Sequence, residues 1–137
     1  MNKLVYLACP YSDPDPAVRE ERFRAVNRAA GILMRAGLYI FSPISHTHPI
    51  AMEAGLPLGF DYWRGYDEAI LSVCKALIIL ELPGYGQSVG VRAERDLAQD
   101  KGIPIFYSQP DFGALLETAR RVDPYLTVKL KPQEQGE

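Results

Sequence analysis

Two carboxylates, Glu94 and Asp67, stand where they could do chemistry on a bound small molecule. Ahead of Glu94 an apolar run, Ala76 to Leu82, ends in the turn Pro83-Gly84-Tyr85-Gly86-Gln87, and a helix is predicted from Ser88 to Lys101. Strand, glycine-bearing turn and helix N-terminus in that order make a ligand site in an open α/β fold. Ser88 is placed to cap the helix, and Gly90 on the same turn leaves room for a ligand. Glu94 falls in the second turn, three residues before Leu97 and four before Ala98, so it borders the small, apolar face marked by Val91, Ala93 and Leu97. The plainer alternative is a surface carboxylate among ion pairs, because Arg92 and Asp96 have helical ion-pair spacing.

Asp67 lies in a predicted helix, Phe60 to Cys74, that feeds the apolar strand. It precedes Ile70 and Leu71 by three and four residues and shares their core-facing side. A half-buried aspartate needs a donor or a ligand; the alternative is an ordinary helix carboxylate. His46 and His48 alternate in Ser-Pro-Ile-Ser-His-Thr-His-Pro. No third ligand and no HExxH pattern accompanies them, so metal is disfavoured, and contact of one of them with a ligand competes with a plain loop role. Tyr6, Tyr11, Tyr62 and Trp63 supply aromatics around the same mouth. The turn before Ser88 lacks both the Lys-Ser/Thr of a Walker loop and a full GxGxxG, which disfavours a nucleoside triphosphatase or a dehydrogenase.

The elements that must hold these residues follow from spacing and punctuation. Leu4 to Ala8 reads as a buried parallel strand. Asp15-Pro16 starts a helix that runs to about Ala36, with Phe23, Val26, Ala30 and Leu33 toward the sheet and Gly37 as its stop. Leu38 to Phe41 is a second strand, and Ser42 to Gly59 a long, Pro- and His-containing loop with room for one helical turn. Ile103 to Tyr107 is the fourth strand, and Asp111 to Arg121 a helix capped by Asp111. Leu126 to Leu130 reads as an edge strand or an ordered arm, and the tail 132–137 as frayed. This alternation predicts an α/β fold, a single-domain doubly wound parallel sheet of the flavodoxin or Rossmann type over residues 1–131. It has four to five strands with helices on both faces, and ligands bind beyond the strands' carboxyl ends.

With 137 residues, 47% hydrophobic and a net charge of −2, the chain offers no basic footprint for a nucleic-acid polymer. No run nears the roughly 18 apolar residues of a membrane span. The expectation is a cytoplasmic protein, with Cys9 and Cys74 as reduced thiols rather than a disulfide or zinc site.

The chain resembles the nucleoside 2-deoxyribosyltransferase superfamily, including its nucleotide N-glycosidase branch, over about residues 4 to 106. The resemblance is carried by Tyr6-Leu7-Ala8 with Pro10-Tyr11, by Phe41-Ser42-Pro43, by Asp67 seven residues before Cys74-Lys75-Ala76-Leu77-Ile78, and by Ser88-x-Gly90-x-x-x-Glu94. It implies that Glu94 is a nucleophile toward the anomeric carbon and that Asp67 assists the leaving base or holds the nucleophile. Tyr6 would hydrogen-bond Glu94, and Ser88 would contact the sugar or its phosphate. Gly90, Tyr11, Pro10 and Ser42 would shape the substrate pocket; His46, which matches no residue of the family, is added to them from its place in the loop at the strand edge. A carboxylate can trap the oxocarbenium-like carbon covalently, with a second acidic group tending the base. Water as acceptor gives hydrolysis, and another base gives transfer. The implied partner is a nucleoside or nucleotide, with no metal or organic cofactor. A homo-oligomer is also implied, for which Phe60, Tyr62 and Trp63 are interface candidates. Two rivals use the same residues differently: a nucleotide-binding module without catalysis, and an interaction domain in which Glu94 and Asp67 point apart into solvent.

Overall fold

Of the five short apolar segments that read as strands, four pair among the described residues. The computed structural model describes residues 3–126. Strands β1 (Leu4–Ala8), β2 (Tyr39–Phe41), β3 (Ala76–Leu80) and β4 (Ile105–Ser108) form one all-parallel sheet in the order β2-β1-β3-β4. Val5 pairs with Ile40 on one side and with Ala76 on the other, so β1 lies inside the sheet. Every residue of β3 is buried, which is why its sequence is a continuous apolar run rather than an alternating one.

Helices cover both faces, making a doubly wound α/β fold. Val5, Leu7, Ile78 and Leu80 point to the face covered by α1 (Pro16–Arg35) and α5 (Phe112–Val122), where Val26, Leu33, Leu115 and Ala119 complete a core. Tyr6, Ala8, Leu77 and Ile79 point the other way, toward α3 (Phe60–Leu71) and α4 (Val89–Asp100), against Leu71, Val91 and Ala98. Alternation along β1 thus sends Tyr6 to the α3–α4 side and its neighbours Val5 and Leu7 to the α1–α5 side.

Local chemistry starts these helices where the sequence signals it. The Asp15 carboxylate accepts from the Ala17 amide at 2.9 Å with Pro16 opening α1, and Asp111 accepts from the Ala114 amide at 2.9 Å to open α5.

Several boundaries differ from the sequence reading. The largest difference is α2 (Pro43–Ala54), which occupies most of the expected loop from Ser42 to Gly59. Ser42 caps it by accepting from the Ser45 amide at 3.3 Å, and Pro43 takes the first turn. Pro49 sits inside this helix but is exposed, where water can stand in for the lost donor. Helix α3 stops at Leu71, and Cys74 lies beyond it. Strand β3 stops at Leu80, and β4 starts only at Ile105, because the Ile103 amide turns back to the Ala98 carbonyl and closes α4. Phe23 leaves the sheet core and packs on His48 of α2, ring centroids 4.4 Å apart. Residues 127–130 of the expected edge strand and the tail 132–137 lie outside the described residues.

Candidate functional site

The strand order reverses between β1 and β3, and the segments leaving their carboxyl ends diverge there. Such a switch point is where open α/β sheets hold ligands. A cavity of about 210 Å³ lies at this place. The β1–α1 segment contributes Cys9, Tyr11 and Ser12, and the start of α4 contributes Ser88 and Gly90. Helix α2 contributes Thr47 and His48, α3 contributes Phe60, Trp63 and Asp67, and Glu94 comes from the second turn of α4.

Arg22 of α1 ties the two loops of the switch point together. Its Nη1 donates to the Ser12 carbonyl at 3.1 Å and its Nη2 to the Pro83 carbonyl at 3.1 Å. Gly84 makes this approach possible. Its φ is +91°, and a Cβ there would lie 2.8 Å from Arg22 Nη2. The chain then passes through a single 3₁₀ turn, Tyr85–Gln87, into Ser88, whose Oγ accepts from the Val91 amide at 3.2 Å and opens α4. Gly90 faces Phe60, and a Cβ there would come within 3.2 Å of the Phe60 ring.

Glu94 is 7% exposed, and the Tyr6 hydroxyl donates to its Oε2. Burial pushes the Glu94 carboxyl up to about 8; the Tyr6 hydrogen bond pulls it down, and the Asp67 charge pushes it up. Asp67 is 6% exposed, and burial pushes it up to about 7. Its Oδ1 has no hydrogen-bond partner among the described residues. A buried carboxyl oxygen on a cavity wall with no protein partner is one that a ligand can satisfy. Burial and the nearby Glu94 raise the Tyr6 hydroxyl well above its ordinary value, so it stays a donor. The pair therefore retains a proton at neutral pH, one carboxyl able to donate while the other accepts or attacks.

Glu94, Asp67, Ser88, Gly90 and Tyr11 all line the cavity, and Tyr6 stands behind Glu94. Three expected pocket residues do not line it. Pro10 is buried behind the wall. Ser42 spends its hydroxyl oxygen on the cap of α2. His46 is exposed and stacks on Tyr66, ring centroids 6.1 Å apart, while His48 faces the cavity. Two residues along a helix are separated by roughly 200°, so only one of the two histidines can face inward, which a loop would not have required. Trp63, expected at the mouth, and Phe60, named only as an interface candidate, both form cavity wall, with Trp63 anchored by its Nε1 to the Pro57 carbonyl at 2.8 Å. Tyr62 remains exposed. Thr47 was not expected at the site, and the unrecognised helix α2 is the reason.

Among the described residues, no group of three or more His, Cys, Asp or Glu side chains could hold a metal ion. No helix there is long and apolar enough to cross a membrane. Both cysteines are free and buried, Cys9 and Cys74 belonging to the cores on opposite faces of the sheet.

Residues 3–109 match the family model described as domain of unknown function DUF1937. The chain belongs to the DUF1937 family. The DUF1937 match takes in all four strands and every residue that lines the cavity, and leaves out α5. The family definition thus contains the whole site. A search of curated proteins gives no match.

Proposed function

We propose that the protein cleaves or transfers the N-glycosidic bond of a nucleoside or nucleotide, with Glu94 as nucleophile. The observation that carries this reading is the Tyr6–Glu94 hydrogen bond at the back of a cavity whose wall also holds the unpartnered Asp67 oxygen. A carboxylate fixed by a phenol can attack an anomeric carbon, and a second carboxyl in the same cavity can hydrogen-bond the sugar or the nucleophile. The aromatic walls, Phe60, Trp63 and Tyr11, suit the flat face of a base. The resemblance to the nucleoside 2-deoxyribosyltransferase superfamily supports the same assignment, since Glu94, Asp67, Tyr6 and Ser88 are the residues that carry it.

Purified protein incubated with nucleosides and 5′-nucleotides, with and without a second free base, tests this directly by chromatography. Free base released by the wild type and not by Glu94→Ala supports hydrolysis, and base exchange supports transfer. Equal turnover by Glu94→Ala removes Glu94 as nucleophile. A ligand that binds and is recovered unaltered turns the site into a binding pocket.

A further inference from the structure

His48 has no part in the chemistry of Glu94 and Asp67, yet both its ring nitrogens are engaged. The ring is 7% exposed and lines the cavity. Its Nδ1 meets the Tyr11 hydroxyl, and its Nε2 lies 3.1 Å from Glu20 Oε2. Phe23 packs against the ring at 4.4 Å between centroids, which fixes its plane. Glu20 is 45% exposed, and its other oxygen lies 3.4 Å from Arg24 Nε. Tyr11 is itself on the cavity wall. An unbroken line of polar contacts therefore runs from solvent through Glu20 and His48 to Tyr11 and the cavity.

The carboxylate of Glu20 takes the Nε2–H, which leaves Nδ1 as the nitrogen that exchanges a proton with Tyr11. This division of labour is that of a carboxylate–histidine pair in a catalytic triad, where the carboxylate fixes the tautomer and stabilises the imidazolium. We propose that Glu20, His48 and Tyr11 form a proton relay that serves the base as it leaves and enters the cavity; this rests on the N-glycosidic reading above. In the first half-reaction a Glu94 oxygen bonds to the anomeric carbon as the bond from that carbon to the base nitrogen breaks. The electron pair goes to the base. The base takes the Tyr11 hydroxyl proton, Tyr11 takes the Nδ1 proton of imidazolium, and neutral His48 keeps its Nε2–H on Glu20. In the second half-reaction water or a second base attacks the anomeric carbon and its proton passes through Tyr11 back to Nδ1. The Glu94 carboxylate departs, and the relay returns to its starting charge. Tyr11 is the residue that touches the ligand; His48 and Glu20 are positioning residues that act through it.

The test compares two leaving groups on one sugar: the natural base, which must be protonated, and p-nitrophenolate, which leaves well without help. His48→Gln and Tyr11→Phe should each lower base release in the first turnover about 100-fold, while the first-turnover burst of p-nitrophenolate, which precedes the second half-reaction, changes by less than about threefold. Glu20→Gln should show the same selectivity at about tenfold. His46→Gln, on the exposed side of the same helix, should change neither rate. Equal losses with both leaving groups mean a structural role and overturn the relay, as does unchanged base release. If His48→Gln fails to fold, judged by circular dichroism, Tyr11→Phe on its half-buried loop carries the test. No turnover of either substrate by folded wild type removes the N-glycosidic reading and the relay with it, whereas the other adverse outcomes remove the relay alone.

Discussion

Tyr6 and Glu94, 88 positions apart in the chain, meet as donor and acceptor on the α3–α4 side of the sheet. The contact joins the middle of β1 to the second turn of α4 and favours the ionised form of a carboxyl that burial otherwise keeps protonated. Removing the hydroxyl with Tyr6→Phe takes away the one influence that lowers Glu94. Its carboxyl should then titrate above about 8, and the acid limb of the rate profile should move to higher pH. Turnover at neutral pH should fall about 10- to 100-fold, the worth of a hydrogen bond to a charged group. A pH–rate profile of the variant beside wild type reads both effects; an unmoved limb separates Glu94 from the Tyr6 contact.

Asp67→Asn acts in the opposite direction. It removes a like charge and keeps the shape, so Glu94 should titrate below about 8 and the acid limb should move to lower pH. Turnover should still fall, because an amide cannot exchange a proton with the ligand as the Asp67 carboxyl, titrating at about 7, can. The diagnostic result is the opposed shift of the two variants, measured in the same buffers.

The site also leaves a mark on stability. Glu94 titrates near 8 and Asp67 near 7 in the folded chain, both above ordinary carboxyl values of about 4. Between those values the folded state binds more protons than the unfolded one, so stability is full below about pH 4 and is lost as pH rises through 7 and 8. Glu94→Gln keeps an acceptor for Tyr6 and carries no charge. It should raise the unfolding free energy at pH 8 by about 1–3 kcal/mol and flatten the decline, while abolishing turnover. Urea denaturation at pH 5 and pH 8 measures this, and equal slopes in wild type and variant would contradict it.

Gly90→Ala sets two effects against each other. Alanine favours a helix by about 1 kcal/mol over glycine, but its Cβ would sit 3.2 Å from the Phe60 ring on the cavity wall. The ring must give by a few tenths of an ångström. The melting temperature should therefore change little while KM rises severalfold. A large loss of stability with unchanged KM would mean that Phe60 cannot move and does not meet the ligand.

Much of this is legible in the sequence itself. The strand cores, the caps at Asp15 and Asp111 and the placement of Glu94 and Asp67 on core-bordering faces all follow from short-range spacing, which the chain writes locally. Helix α2 was not read, although Ser42-Pro43 is the same cap-and-proline signal as Asp15-Pro16. Pro49, only six residues later, lacks the backbone donor of a helix interior and masks that signal. From that one misreading followed the choice of His46 over His48 and the omission of Thr47. The contacts among Tyr11, His48 and Glu20 join three segments, and no local pattern encodes a meeting of that kind.

Because β1 lies between β2 and β3, its two edges find their partners at different times during synthesis. During synthesis β1 emerges long before β3, and one of its two hydrogen-bonding edges stays open until residues 76–80 arrive. Glu94 follows on α4 and stays a solvated carboxylate until that helix docks against Tyr6. Burial of Glu94 and its contact with Tyr6 thus form together and non-locally, and a partly folded chain holds an ordinary carboxylate in their place.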